Sequence, residues 1–143
     1  MMKMGHWERA RIMFKACVQA LRTSTDALEG AVKQRMFFCL NSLGFVAASE
    51  GNFEEAEMHF DACLSLGSPA NATGDVSDLE FADAAWNFAV MCQSSGKYPK
   101  SESLLLQCVQ VLERGNDCVA KALDAKHSLA LLYRSAIGNF LGT

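Results

Sequence analysis

Cysteine, histidine and clustered glutamate are the side chains here that could do chemistry, and their spacing tests each in turn. The cysteines are Cys17, Cys39, Cys63, Cys92, Cys108 and Cys118, with successive gaps of 22, 24, 29, 16 and 10 positions. Zinc sites usually draw paired ligands two to four residues apart, and the chain has neither C-x-x-C nor a Cys/His cluster at that spacing. His6, His59 and His127 lie far apart, which suits surface or core histidines better than a ligand set. Glu54, Glu55 and Glu57 stand where a helix would begin, and acids there oppose the positive end of its dipole. As an acid/base pair they would be sequence neighbours on different helix faces, a poor arrangement for catalysis. There is no G-x-G-x-x-G, no phosphate-binding P-loop, no H-E-x-x-H and no G-x-S-x-G. The expectation is a non-enzyme, with no catalytic residue, no metal and no cofactor.

Bulk composition narrows the partners. The 143 residues are 50% hydrophobic and 20% charged, with two prolines, which describes an ordered chain of single-domain size. A net charge of −3 provides no electrostatic reason to expect nucleic acid or an anionic membrane as partner. No apolar run approaches ~18 residues, so no membrane span is expected. The start MMKMGHWERARIMF lacks the apolar core and small-residue cleavage site of a secretion signal. A cytoplasmic location with reduced thiols follows as the expectation.

What then positions these residues? Gly51 is followed by Phe53, Ala56, Phe60 and Cys63; Gly96 is followed by Tyr98, Ser101, Leu105 and Cys108 at identical offsets. Near the start, Gly5 is followed by Trp7, Ala10, Phe14 and Cys17, again at those offsets. The last three members of each set fall at i, i+4 and i+7, one face of a helix. Cys17, Cys63 and Cys108 are therefore expected to share one small buried slot. Upstream, Leu43-Gly44 with Ala47 precede Gly51, and Phe88-Ala89 with Cys92 precede Gly96. Leu129-Ala130 precede Gly138 with spacing one residue longer. Each unit reads as two helices joined at a glycine that takes positive φ, with a small residue where the helices cross. The recurring Gly-Asn-Phe at 51–53 and 138–140 is thus turn punctuation. The pattern predicts six helices near 7–22, 30–49, 53–66, 77–95, 98–114 and 117–136.

These residues resemble the tetratricopeptide repeat (TPR), whose pattern runs W-x2-L-G-x2-Y…A-x3-F…P. Leu43-Gly44-x2-Ala47 and Ala56-x3-Phe60, with Pro69 soon after, match it; Phe88-Ala89-x2-Cys92 and Ser101-x3-Leu105 match less strictly. The glycine spacings of 46, 45 and 42 exceed the usual 34 residues and are similar to the long-period repeats of kinesin light chains. The first helices lack the Trp, and Ser101 replaces the usual Ala. The resemblance implies an all-α, helix-turn-helix solenoid over 1–143, with half repeats at 5–22 and 117–143 and full repeats at 30–66 and 77–114. Such an arrangement could equally be a fragment of a longer array.

By the same resemblance, first helices line a concave groove that binds a protein or peptide. The groove residues would be Phe38, Asn41, Ser42, Phe45 and Ser49 from one unit, and Asp83, Trp86, Asn87, Val90, Gln93 and Ser94 from the next. His127, Ser128, Leu131, Arg134 and Ser135 would follow. Asn87 matches the family position whose amide clamps a peptide backbone, since an amide both donates and accepts; the alternative role is to tie helices together. Arg134 is the sole cation of that set and Asp83 opposes it, so an acidic carboxylate tail is disfavoured as ligand. The alternative function is a structural subunit contacting neighbours through its ends or convex face. The apolar content of the last helix (Leu129, Leu131, Leu132, Tyr133, Ile137) predicts self-association or complex formation through the C-terminal end.

Overall fold

The computed structural model describes residues 4–23, 29–67, 76–114 and 119–140. Among these the chain is all-α: α1 (Met4–Thr23), α2 (Glu29–Ser49), α3 (Phe53–Leu66), α4 (Asp78–Ser94), α5 (Tyr98–Glu113) and α6 (Val119–Phe140). Each helix lies within four residues of its expected bounds at either end. The chain divides into two units, Met1–Ser77 and Asp78–Thr143, which hold α1–α3 and α4–α6 respectively.

The turn between α2 and α3 follows from its glycine. Gly51 has φ +80°, a conformation that a Cβ disfavours. Its N–H bonds the Ala48 carbonyl at 3.0 Å, and the next N–H, of Asn52, reaches back to Ala47 at 2.9 Å. This pair of bonds is a Schellman closure, which satisfies carbonyls that the helix end leaves open. Between α4 and α5 the same closure recurs: Gly96 has φ +81°, its N–H bonds Gln93 at 3.2 Å, and Lys97 N–H bonds Cys92 at 2.8 Å. Every one of these positions is displaced by 45 residues from its counterpart.

Packing within the two hairpins keeps that register. Leu43, Ala47, Ala56, Phe60 and Cys63 are buried in the first; Phe88, Cys92, Ser101, Leu105 and Cys108 are buried in the second. A Cβ on Gly44 would come within 2.7 Å of the Phe60 ring, so the helix crossing there requires glycine. The second hairpin has the larger Ala89 and the smaller Leu105 at the equivalent positions. Ser101, the departure from the usual Ala, donates its hydroxyl to the Ala89 carbonyl at 3.0 Å and so carries no unmet polar group into the core. Cys63 Sγ bonds the Phe37 carbonyl at 3.3 Å, and Cys108 Sγ bonds the Ala82 carbonyl at 3.4 Å. Both reach 26 residues back.

The outer copies of the pattern behave differently. Cys17 is exposed and does not share the buried slot of Cys63 and Cys108. That slot is closed by a helix preceding the cysteine, whereas α1 packs on α2, which follows it. Gly5 lies inside α1, and Gly138 lies inside α6, which continues to Phe140. Gly138-Asn139-Phe140 is therefore helical, and the expected third turn is absent there. Ala130 is exposed, because among the described residues no later helix crosses it. A lone glycine costs a helix only about 1 kcal/mol relative to alanine, so without a packed partner it does not end one.

Candidate functional site

The residues that the sequence singles out on α2 and α4 share one face of each helix and are related by the same 45-residue step. On α2, Phe38 and Phe45 are 61% and 50% exposed, while Asn41 and Ser42 are half-buried between them. On α4, Asp83 and Val90 are exposed, and Trp86 and Asn87 are half-buried between them. Gln93 is half-buried one turn further on, and Ser49 and Ser94 are exposed at the helix ends. Asn41 and Asn87 each already take part in an interaction within the protein.

In the second unit the α4 face borders a cleft of about 150 Å³. Ala82, Cys108 and Leu112 supply its apolar lining, and Trp86 adds its indole. At the rim Lys121 Nζ bonds Asp83 Oδ1 at 2.9 Å, tying the start of α6 to α4, with Asp124 beside them. Burial, with the nearby Asp83 carboxylate, pushes the Cys108 thiol up to about 12. Its sulfur is therefore an apolar lining atom rather than a nucleophile. A space of this size accepts one apolar side chain of roughly benzene's bulk. His127 and Arg134 are exposed further along α6, and neither lines this cleft. Desolvation, and then the Glu102 carboxylate of α5, raise the pKa of the Tyr133 hydroxyl on α6.

In the first unit, α1 occupies part of the α2 face. The Phe14 ring stands edge-on to Phe38, with centroids 6.2 Å apart. Beside it lies a set of charges that sequence reasoning did not gather. Arg11 bonds both Glu8, at 2.9 Å, and Glu50. Lys15 Nζ lies 3.2 Å from Glu55, and His59 Nε2 lies 3.5 Å from the same carboxylate. Burial resists ionisation of Glu55, but Lys15, His59 and Arg11 together hold it below the usual carboxylate range. Burial lowers His59, and Glu55 opposes that shift without reversing it. Glu55, in the first turn of α3, thus serves as an anchor for α1. The sequence held only half of that signal: Arg11 and Lys15 stand at i and i+4, and Glu55 and His59 stand likewise, but nothing in the spacing says that the two pairs meet.

A second cavity, of about 320 Å³, lies in the same unit, with Val18, Leu40 and Leu43 among its apolar lining and Lys15, Arg22 and His59 among its polar lining. Among the described residues, no three His, Cys, Asp or Glu side chains converge as metal ligands, and no helix is long and apolar enough to cross a membrane. No family model matches the chain, and neither a curated protein nor a solved structure matches it.

Proposed function

We propose that this chain is a TPR-like interaction scaffold of the cytoplasm that binds a protein or peptide partner and performs no chemistry of its own. The observation that carries this reading is the α4 face. Trp86 and Val90 offer apolar contact, Asn87 adds an amide, and the adjoining cleft has room for one apolar side chain. An extended segment lying along α4 would place one side chain in the cleft and its backbone near the amide. A half-buried Trp beside a small pocket is the kind of anchor on which interface energy concentrates.

Affinity capture with the full chain, wild type beside Trp86→Ala, tests the reading. The partner's affinity should fall roughly 10-fold or more for Trp86→Ala, and about 5- to 100-fold for Asn87→Ala through lost hydrogen bonds. Helicity should be unchanged in Asn87→Ala. A partner bound equally by wild type and both variants would transfer the interface elsewhere and sink this reading.

A second reading, a structural subunit of a larger assembly, is favoured by α6. Leu123, Leu131 and Tyr133 are 59%, 39% and 43% exposed on that helix. Leu131→Glu is the informative change, because Leu132 is buried and its replacement would unfold the helix contact. Light scattering over a concentration series should show association in wild type that Leu131→Glu weakens.

A further inference from the structure

The cavity of about 320 Å³ in the first unit has no part in the α4 face, which belongs to the second. Three helices wall it. Lys15, Val18 and Arg22 come from α1, at i, i+3 and i+7 and so on one helix face. Leu40 and Leu43 come from α2, and Met58 and His59 from α3. Val18, Leu40 and Leu43 are 6%, 3% and 3% exposed and make an apolar floor, whereas Lys15, Arg22 and Met58 are exposed and stand at the mouth. None of the described residues lining the cavity is acidic. Glu55, outside that lining, lies 3.2 Å from Lys15, 3.5 Å from His59 and 4.0 Å from Arg11, so its charge is already matched. Those contacts hold Lys15 and His59 in place before any ligand arrives, which lowers the cost of binding one.

We propose that this cavity binds an amphiphilic monocarboxylate, a straight-chain fatty acid of about eight carbons, with its tail on the apolar floor and its head between Lys15 and Arg22. The volume is about twice the ~150 Å³ that holds benzene, so the space takes a chain longer than one ring. It also reaches the ~300 Å³ at which small-ligand sites begin. Lys15 gives one of its three donors to Glu55 and keeps others for a second anion. Arg22 adds a planar fork that suits a carboxylate. Two helical turns separate these cations, and both side chains are long enough to converge on one head group. Met58, 60% exposed at the mouth, is unbranched and folds over the chain. A neutral alcohol would gain the floor alone and a short acid the cations alone, so the site selects for both parts in one molecule. The bound acid touches α1, α2 and α3 together, and therefore stabilises the folded unit.

The test titrates the full chain with sodium octanoate, octanol and sodium acetate at neutral pH, read by NMR of labelled Met, Leu and Val methyl groups. Octanoate should bind saturably, one per chain, with shifts centred on Val18, Leu40, Leu43 and Met58, and should raise the melting midpoint by a few degrees. Octanol should bind roughly 10-fold more weakly and acetate should leave those methyls unmoved. Arg22→Gln should weaken octanoate about 5- to 10-fold, and Arg22→Lys by less. Met58→Glu, which puts a carboxylate at the mouth, should weaken it at least as much. Both positions are exposed, so the variants should keep wild-type helicity, which circular dichroism checks. Octanol that binds as tightly as octanoate, or Arg22→Gln without effect, would overturn the proposal. So would shifts that never saturate or that centre on the α4 cleft.

Discussion

Gly44 faces the Phe60 ring in the first hairpin, while the second sets Ala89 and Leu105 at the equivalent positions, 45 residues on. Bulk has moved from one helix to its neighbour, and the turn bonds, glycine conformations and cysteine contacts around it are preserved. The third helices differ more. At the equivalent positions Phe38 and Asp83, the first unit has an aromatic contact from α1 and the second an ion pair from α6. At Glu55 the first unit gathers Arg11, Lys15 and His59, whereas Lys100, its counterpart, lies 4.7 Å over the Phe88 ring. The hairpin is thus the invariant object, and its attachments are individual. Backbone closure and core volume tolerate few solutions, while a surface contact can be made by any complementary pair.

The sharpest way to break this comparison is at the crossing. Gly44→Ala places a Cβ into the Phe60 ring and should cost about 1–3 kcal/mol by overpacking. Adding Phe60→Leu, which recreates the pairing of the second hairpin, should recover most of that loss. A double-mutant cycle read by urea denaturation measures the coupling, and strict additivity would mean the two positions do not share one volume. A smaller effect is expected at the turns. Gly51→Ala and Gly96→Ala each force a side chain to positive φ and should cost about 1–2 kcal/mol, by nearly equal amounts. Losses that differ several-fold would show the closures to be alike in geometry only.

The smallest effect separates the units by pH. His59 titrates below its usual 6.5 and Glu55 below its usual 4.5 in the folded chain. Both folded values lie under the unfolded ones, so each contributes stability above the unfolded value that is lost as pH falls through the folded one. The loss should begin below about pH 6.5, with His59, and continue below about 4.5, with Glu55. His59→Gln should remove the upper part of that dependence in chemical denaturation at stepped pH. A profile unchanged by the substitution would place the acid sensitivity elsewhere.

The helices and their two central turns were legible because the 3.6-residue spacing of Ala56, Phe60 and Cys63, and its copy at Ser101, Leu105 and Cys108, records a real core stripe. The α2 and α4 faces came instead from the resemblance to a known repeat, since the exposed Phe38, Phe45 and Val90 give no polar stripe to read. Misreadings arose at the edges. Gly5, Cys17 and Gly138 carry the right residue types at the right offsets, but a glycine makes a turn, and a cysteine a core slot, only when a second helix packs there. The charge set around Glu55 went unseen because its members come from two helices more than thirty residues apart in sequence. Offsets within one helix do not reveal which neighbour it will meet.

Cys63 and Cys108 have a consequence for how the molecule breathes. Each thiol is sealed in the same slot of its own hairpin, and burial drives both to resist ionisation. A thiol reagent can reach either one only during a transient opening of that hairpin, so its labelling rate counts openings at a single address. The chain therefore carries a matched clock in each hairpin, at equivalent positions 45 residues apart. Clocks that run together would report a single cooperative unfolding of all six helices, and clocks that run apart would report two foldons in one polypeptide.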